Sequence, residues 1–144
     1  MLFIDSHQLS KDLVIQMLID SNMDFNPPLS ESLDLYSYAD KLYNHAHFIS
    51  ILEGDKIYGC LAYYLNEKEH FVYISFLWIC KDMQRYGWGQ KLLDYLLNVI
   101  PNSYNKIRLE VVKSNIKALS FYKKNEFVFL EERVTKFLLS KNIL

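Results

Sequence analysis

Apolar and polar positions change their spacing several times along the chain, and each change marks an element. Leu2 to Ile4 is a short apolar run that reads as an opening strand. From Lys11 to Ser21, Val14, Met17 and Leu18 recur at helical spacing, with Ser10 placed to cap the helix. Asn26-Pro27-Pro28 breaks the chain. A second helical pattern starts at Ser30 and puts Leu33, Tyr36, Asp40 and Tyr43 on one face. That face is only partly apolar, as in helices that border a cleft.

From His47 the spacing shortens. Phe48, Ile49, Ile51 and Leu52 form a β-rich run that ends at the turn Glu53-Gly54-Asp55-Lys56. Ile57 to Leu65 returns, Asn66 to Glu69 turns again, and Phe71 to Cys80 is a long apolar strand. This predicts a three-stranded antiparallel meander. Next, Trp88, Leu92, Tyr95, Leu96 and Val99 share a helical face opposite Gln90, Lys91, Asp94 and Asn98. Pro101-Asn102-Ser103 ends that helix, and Ile107, Leu109 and Val111 form a strand. A helix over Asn115–Lys124 follows, capped by Ser114 or Asn115. Phe127–Leu130 and Val134–Leu139 close the chain as strands. Strand, helix and strand from Phe71 to Val111 require a parallel pair joined by a crossover. With no repeat and no linker, residues 1–144 read as one α/β domain.

Composition narrows the function classes. The 144 residues are 51% apolar and 23% charged, which is globular and not disordered. A formal net charge of -1 argues against a general nucleic-acid or membrane-surface binder. No apolar run approaches the roughly 20 residues of a membrane span. The first residues, Met1 to Asp5, lack the pattern of a signal peptide. Two Cys are too few for a disulfide scaffold or a zinc site, so the reading is a cytoplasmic, reduced protein without a metal. His45 and His47, with no third ligand nearby in sequence, are read as surface residues, and Cys60 and Cys80 as small hydrophobes. The charge is unevenly spread: residues 1–80 carry -7, 81–124 carry +6 and 125–144 carry 0. That pattern fits an anionic ligand on the central segment and a cationic one near the first half. It also fits chance clustering of solvated charge.

Chemistry concentrates at Gln84-Arg85-Tyr86-Gly87-Trp88-Gly89, between an apolar strand and an amphipathic helix. A helix start offers unpaired N–H groups and the positive end of the helix dipole, so it attracts anions. Glycines there let a phosphate approach the backbone. The segment lacks the Lys-Ser/Thr pair of a Walker loop and the third glycine of a dinucleotide fingerprint. Taken alone, the spacing also fits a simple turn.

The strand Tyr73–Cys80, then Gln84-x-x-Gly87-x-Gly89 and an amphipathic helix, resembles the acetyl-CoA motif of the GNAT superfamily of N-acetyltransferases. A second segment agrees: Leu109-Glu110-Val111, then Asn115, Ala118 and Phe121-Tyr122, resembles the strand and helix completing that family's cofactor site. The order of elements matches over nearly the whole chain. The resemblance implies a mixed sheet of about six to seven strands, mostly antiparallel, with a parallel pair at the cofactor site and about four helices. Three positions depart from the usual pattern. Lys81 stands where a Pro is common, and Trp88 where a modest aliphatic is usual, so its ring should need space in the core. Glu126 stands where a Gly usually precedes the aromatic Phe127, and Asn125 is expected to supply the left-handed turn.

By that resemblance the chain is an enzyme, an acyltransferase moving an acetyl group from acetyl-CoA to a primary amine in a ternary complex. The backbone of Gln84, Arg85, Tyr86, Gly87, Trp88, Gly89 and Gln90 would hold the pyrophosphate. Leu77, Trp78 and Ile79 would pair with the pantetheine and offer an N–H to the acetyl carbonyl. They also fit an ordinary buried strand. Asn115 would bond the pantetheine arm, or would simply cap its helix. Tyr122 would face the thioester sulfur as the acid, or would be one more core aromatic. Glu110 stands at a position resembling the base of some members that acetylate protein N-termini. It also fits a solvent-facing Glu, or one paired with Lys113. Tyr36, Tyr38, Tyr43, Tyr63 and Tyr64 are candidates for an acceptor pocket or for core. The acceptor would be a small amine, an amino sugar or a protein N-terminus. Nucleic acid and membrane are not expected partners, and a homodimer is compatible with the reading. The stretch from Asn26 to Asn44 resembles a bacterial subgroup of the family. The competing function is a non-catalytic acyl-CoA sensor or interaction module on the same fold.

Overall fold

Strand alternation carries most of this structure. The computed structural model describes residues 1–143. Its strands are β1 (Phe3–Asp5), β2 (His47–Glu53), β3 (Lys56–Asn66), β4 (Phe71–Ile79), β5 (Lys106–Val112), β6 (Val128–Glu132) and β7 (Lys136–Asn142). The helices are α1 (Lys11–Ser21), α2 (Leu35–His45), α3 (Trp88–Val99) and α4 (Ile116–Lys124). The strands form one seven-stranded sheet in the order β1-β2-β3-β4-β5-β7-β6. β4 and β5 are parallel, pairing Phe71–Ile74 with Lys106–Leu109, and β4 runs on to Ile79. β1–β2, β2–β3, β5–β7 and β6–β7 are antiparallel. This is the mixed sheet expected from the sequence. Among the described residues, no helix is long and apolar enough to cross a membrane.

Two compact units arise along the chain. The first takes Met1–Tyr63 and Phe76–Val99, the second Tyr64–Ser75 and the chain from Ile100 onward. In the first unit, Ser10 caps α1 by accepting from the Leu13 N–H at 3.2 Å, and Val14, Met17 and Leu18 are buried, as their spacing predicts. α2 begins five residues later than its apolar pattern suggests. The Asp34 carboxylate captures the N–H groups of Tyr36 and Ser37 and the Ser37 hydroxyl, which fixes the helix start there. Its buried face is Ala39 and Leu42, while Tyr36 is 64% exposed. The large residues that define the sequence pattern therefore lie outside, and the small Ala39 lies inside.

In the second unit, Ile107, Leu109 and Val111 of β5 are buried in strict alternation. α4 is capped by the Asn115 side chain, which accepts from the Ala118 N–H at 3.1 Å. After α4 the left-handed residue is Glu126 (φ 68°), not Asn125 (φ -90°). The Asn125 side-chain amide instead donates to the Phe121 carbonyl, and its N–H is shared between the Phe121 and Tyr122 carbonyls. That bonding holds Asn125 near the helical region and passes the reversal to the next residue.

Candidate active site

The residues that resemble an acetyl-CoA motif, Leu77 to Gln90, fall in the first unit. β4 alternates there, with Phe76 and Trp78 buried and Leu77 and Ile79 half-buried. Two contacts from the segment after α1 fix the end of this strand. The Trp78 indole N–H donates to the Asp24 carboxylate at 3.0 Å, and the Phe25 ring lies 5.6 Å from that of Phe76. Gly59 on β3 fixes it from another side. A Cβ at Gly59 would stand 2.8 Å from Ile51 Cδ1 and 3.0 Å from the Trp78 carbonyl oxygen, so a larger residue would make its neighbours shift.

A short 3-10 turn over Lys81–Met83 leads from β4 to the motif. The Gln84 side-chain amide donates back to the Ile79 carbonyl at 3.0 Å, tying the loop to the strand end. Arg85 (φ 74°) and Gly87 (φ 82°) are both left-handed, with the exposed Tyr86 between them. A non-glycine residue held left-handed marks a backbone determined by its surroundings. α3 then starts at Trp88, so the first N–H groups of that 12-residue helix have no partner inside it. A Cβ built on Gly87 would meet nothing within 4 Å. The backbone at Gly87 is thus uncrowded, and with the helix start beside it the residues present fit an anion such as a pyrophosphate. Trp88 is half-buried, and the Lys91 ammonium stands 4.3 Å from its ring centre. The Gln90 side chain donates to Asp94 at 2.9 Å.

Glu110, Asn115 and Tyr122 fall in the second unit. The Glu110 carboxylate accepts from the Tyr73 hydroxyl at 3.0 Å and from the Arg133 guanidinium at 3.1 Å. Arg133 also reaches Glu131, and these carboxylates hold its guanidinium above the ordinary arginine value. Lys113 pairs with Glu132 at 2.8 Å and not with Glu110. Asn115 uses its side-chain oxygen on the cap of α4. Tyr122 is buried, its ring edge-on to Phe121 at 5.2 Å and to Phe127 at 5.3 Å. Burial pushes its phenol well above the ordinary tyrosine value, so the hydroxyl keeps its proton and is suited to donating.

Sequence reasoning missed Tyr73, Arg133, Asp24 and Gly59. Tyr73 was within reach, because it alternates with the buried Val72 and Ile74 on a strand read as parallel to that of Glu110. Arg133 lies in the turn after β6 and Asp24 ends a single 3-10 turn, where no periodicity signals a partner. Of the candidate pocket tyrosines, Tyr63 is buried and Tyr36 and Tyr43 are exposed. His47 stacks on Tyr63 at 5.2 Å. Among the described residues, no three His, Cys, Asp or Glu side chains gather where they could hold a metal ion.

Residues 15–127 match the family model described as Acetyltransferase (GNAT) family. The chain belongs to the GNAT acetyltransferase family. Solved GNAT structures share its fold at low identity. The PaiA N-acetyltransferase of Thermoplasma acidophilum, in complex with coenzyme A, is 16% identical with a TM-score of 0.77, covering 97% of this chain and 99% of that one. The ribosomal-protein-S18-alanine N-acetyltransferase of Escherichia coli is 18% identical with a TM-score of 0.76, covering 99% and 94%. NAA60 of Arabidopsis thaliana, in complex with a bisubstrate analogue, is 14% identical with a TM-score of 0.76, covering 97% and 98%. No curated protein sequence matches this chain.

Proposed function

We propose that this GNAT chain moves the acetyl group of acetyl-CoA onto a primary amine by direct attack in a ternary complex. The observation that carries the reading is the start of α3: left-handed Arg85 and Gly87, open space at Gly87, and a helix start behind them. Acetyl-CoA supplies an activated thioester. The chain's own residues bind, orient and move protons. Backbone N–H groups from Arg85 to Gln90 hold the pyrophosphate. Leu77, Trp78 and Ile79 hold the pantetheine through β4 and aim an N–H at the acetyl oxygen, a donor worth about 3 kcal/mol in such sites. The rigidity of that strand end, set by Gly59, Asp24 and Gln84, keeps the donor aimed.

Tyr122 donates a hydrogen bond to the departing sulfur. Complete proton transfer from a phenol to a thiolate is uphill by roughly 2 kcal/mol from ordinary values, and burial of Tyr122 favours retention of its proton. Its hydroxyl therefore acts by a bond that strengthens as charge develops. Glu110 receives the acceptor's proton through a water. A carboxylate has about four lone-pair sites, and Tyr73 and Arg133 occupy one on each oxygen, so the group is oriented and still able to accept. The acceptor is an amine of a small molecule or a peptide, and the acidic first half of the chain favours a cationic one.

The test is a pair of measurements. Acetyl-CoA at 100 times its Kd should stabilise the fold by about 2.7 kcal/mol, read as a rise in Tm. Gly89→Asp should abolish that rise by placing an anion beside the pyrophosphate. Thiol release from acetyl-CoA against a panel of amines then separates a transferase from a non-catalytic acyl-CoA binder. No thermal shift at millimolar acetyl-CoA sinks the proposal.

A further inference from the structure

In the second unit, one face of the sheet carries charge of opposite sign at its two ends. Side chains two apart on β5 share a face, so Lys106, Arg108 and Glu110 stand in one row. At the Glu110 end, the Arg133 guanidinium sits between the Glu110 and Glu131 carboxylates, so one negative charge is left over. At the other end stand two cations. Among the described residues, no ion pair includes Lys106 or Arg108. Arg108 is half-buried, and its Nε–H is buried without a hydrogen-bond partner among those residues. Its Cζ lies 4.7 Å from the centre of the Phe71 ring. A ring face attracts the charge, but it is no substitute for the paired oxygens that a guanidinium fork is shaped to bond. Ser140, paired with Arg108 in register from β7, brings a hydroxyl to the same face. Tyr73, paired with it from β4, sends its own hydroxyl to Glu110 and so spans the interval between the two ends.

We propose that Arg108 binds an oxyanion of the acceptor, so that the acceptor is an amine with a carboxylate or phosphate at its other end. The amine lies at Glu110, and the inference rests on Glu110 as the proposed base. Charge sets this orientation. An ammonium arrives at the negative end of the row, and the oxyanion at the positive end. A diamine would instead set its second cation against Lys106 and Arg108. Spacing sets the length. Two residues along a strand separate their Cα atoms by about 7 Å. The Arg108 guanidinium leans further off, towards Phe71, whose register partner is Lys106. Two to three extended residues span about 7–11 Å, so a short peptide reaches both ends and a single α-amino acid does not.

Matched pairs of acceptors test this. Triglycine and triglycinamide differ only in the terminal carboxylate. With acetyl-CoA, the wild type should favour triglycine by about 10- to 100-fold in kcat/KM, mostly through KM, the scale of a hydrogen bond to a charged group. Aminohexyl phosphate against hexylamine is the phosphate arm, and the larger preference names the oxyanion. Arg108→Gln should erase the preference. Arg108→Lys should keep part of it, because the charge survives and the fork does not. A residue that only packs would weaken both members of a pair alike and leave their ratio intact. Calorimetry with coenzyme A in place of acetyl-CoA repeats the comparison as binding, without transfer. If no amine is acetylated but triglycine or aminohexyl phosphate still binds more tightly through Arg108, the oxyanion site stands and the proposed reaction falls. Equal binding within both pairs overturns the proposal, as does a preference that survives Arg108→Gln. If Arg108→Gln fails to fold, Arg108→Lys decides, and an undiminished preference there overturns it.

Discussion

Tyr122→Phe removes one oxygen and leaves the ring. In the structure that ring is buried and packs edge-on against Phe121 and Phe127, contacts that phenylalanine retains. Stability should therefore move by no more than about 0.5 kcal/mol. The catalytic effect should be larger. A hydrogen bond to a charged group is worth about 1.5–3 kcal/mol, and a neutral thioester sulfur is a poor acceptor, so most of that bond exists only as the thiolate forms. At about 1.4 kcal/mol per tenfold, the expected loss in kcat is about 10²-fold, with little change in affinity for acetyl-CoA. The pH behaviour is fixed by burial, which raises the Tyr122 phenol above its ordinary 10.0. The neutral form is favoured in the fold, so its contribution to stability is complete below about pH 10 and is lost only above it. Tyr122 should put no falling limb into kcat on the way up to pH 10. Single-turnover thiol release, with thermal melting of the same samples, reads both effects. A variant that keeps full kcat in single turnover would return Tyr122 to the role of a core aromatic.

Three further outcomes follow from the packing. Glu126→Gly should stabilise the protein by about 0.5–1 kcal/mol in urea unfolding, because the left-handed φ of 68° strains a side chain that glycine lacks; equal or lower stability would mean the strain is relieved locally. Burial pushes the Cys60 thiol from 9.0 up to about 12, so its contribution is present below about pH 9 and falls as pH rises towards 12; roughly 2 kcal/mol should be lost by about pH 10.5. Cys60→Ala should lack that portion of the alkaline loss, and an unchanged difference between neutral and alkaline unfolding would contradict the assignment. Trp78→Phe keeps an aromatic in β4 but deletes the N–H bonded to Asp24, and should cost about 2 kcal/mol; Asp24→Asn, which keeps an acceptor, should cost less.

The strands and their turns were legible because alternation and turn residues are local properties of the chain. The parallel pair was legible too, since a strand, helix and strand of that length admit few other pairings. Helix faces were read less well. In α2 the aromatic residues that dominate the pattern lie outside, because Ala39 and Leu42 are what close packing admits. The motif at Gln84–Gly89 was visible for a different reason. The chemistry proposed for it belongs to the backbone, and glycine spacing reports backbone freedom directly.

The surroundings of Glu110 show where sequence reading stops. Lys113, three residues on, was the natural partner by proximity. β5 ends at Val112, however, and Lys113 lies in the turn that follows, so the alternation of the strand does not set it beside Glu110. Lys113 goes to Glu132, and Glu110 receives Tyr73 from the parallel neighbour and Arg133 from the turn between β6 and β7. Neither partner is close in sequence: they stand 37 and 23 residues away. Their arrival depends on the register of one ladder and the reach of one turn. A candidate base can thus be named from its place in a motif, while the donors that orient its carboxylate are set by tertiary structure alone.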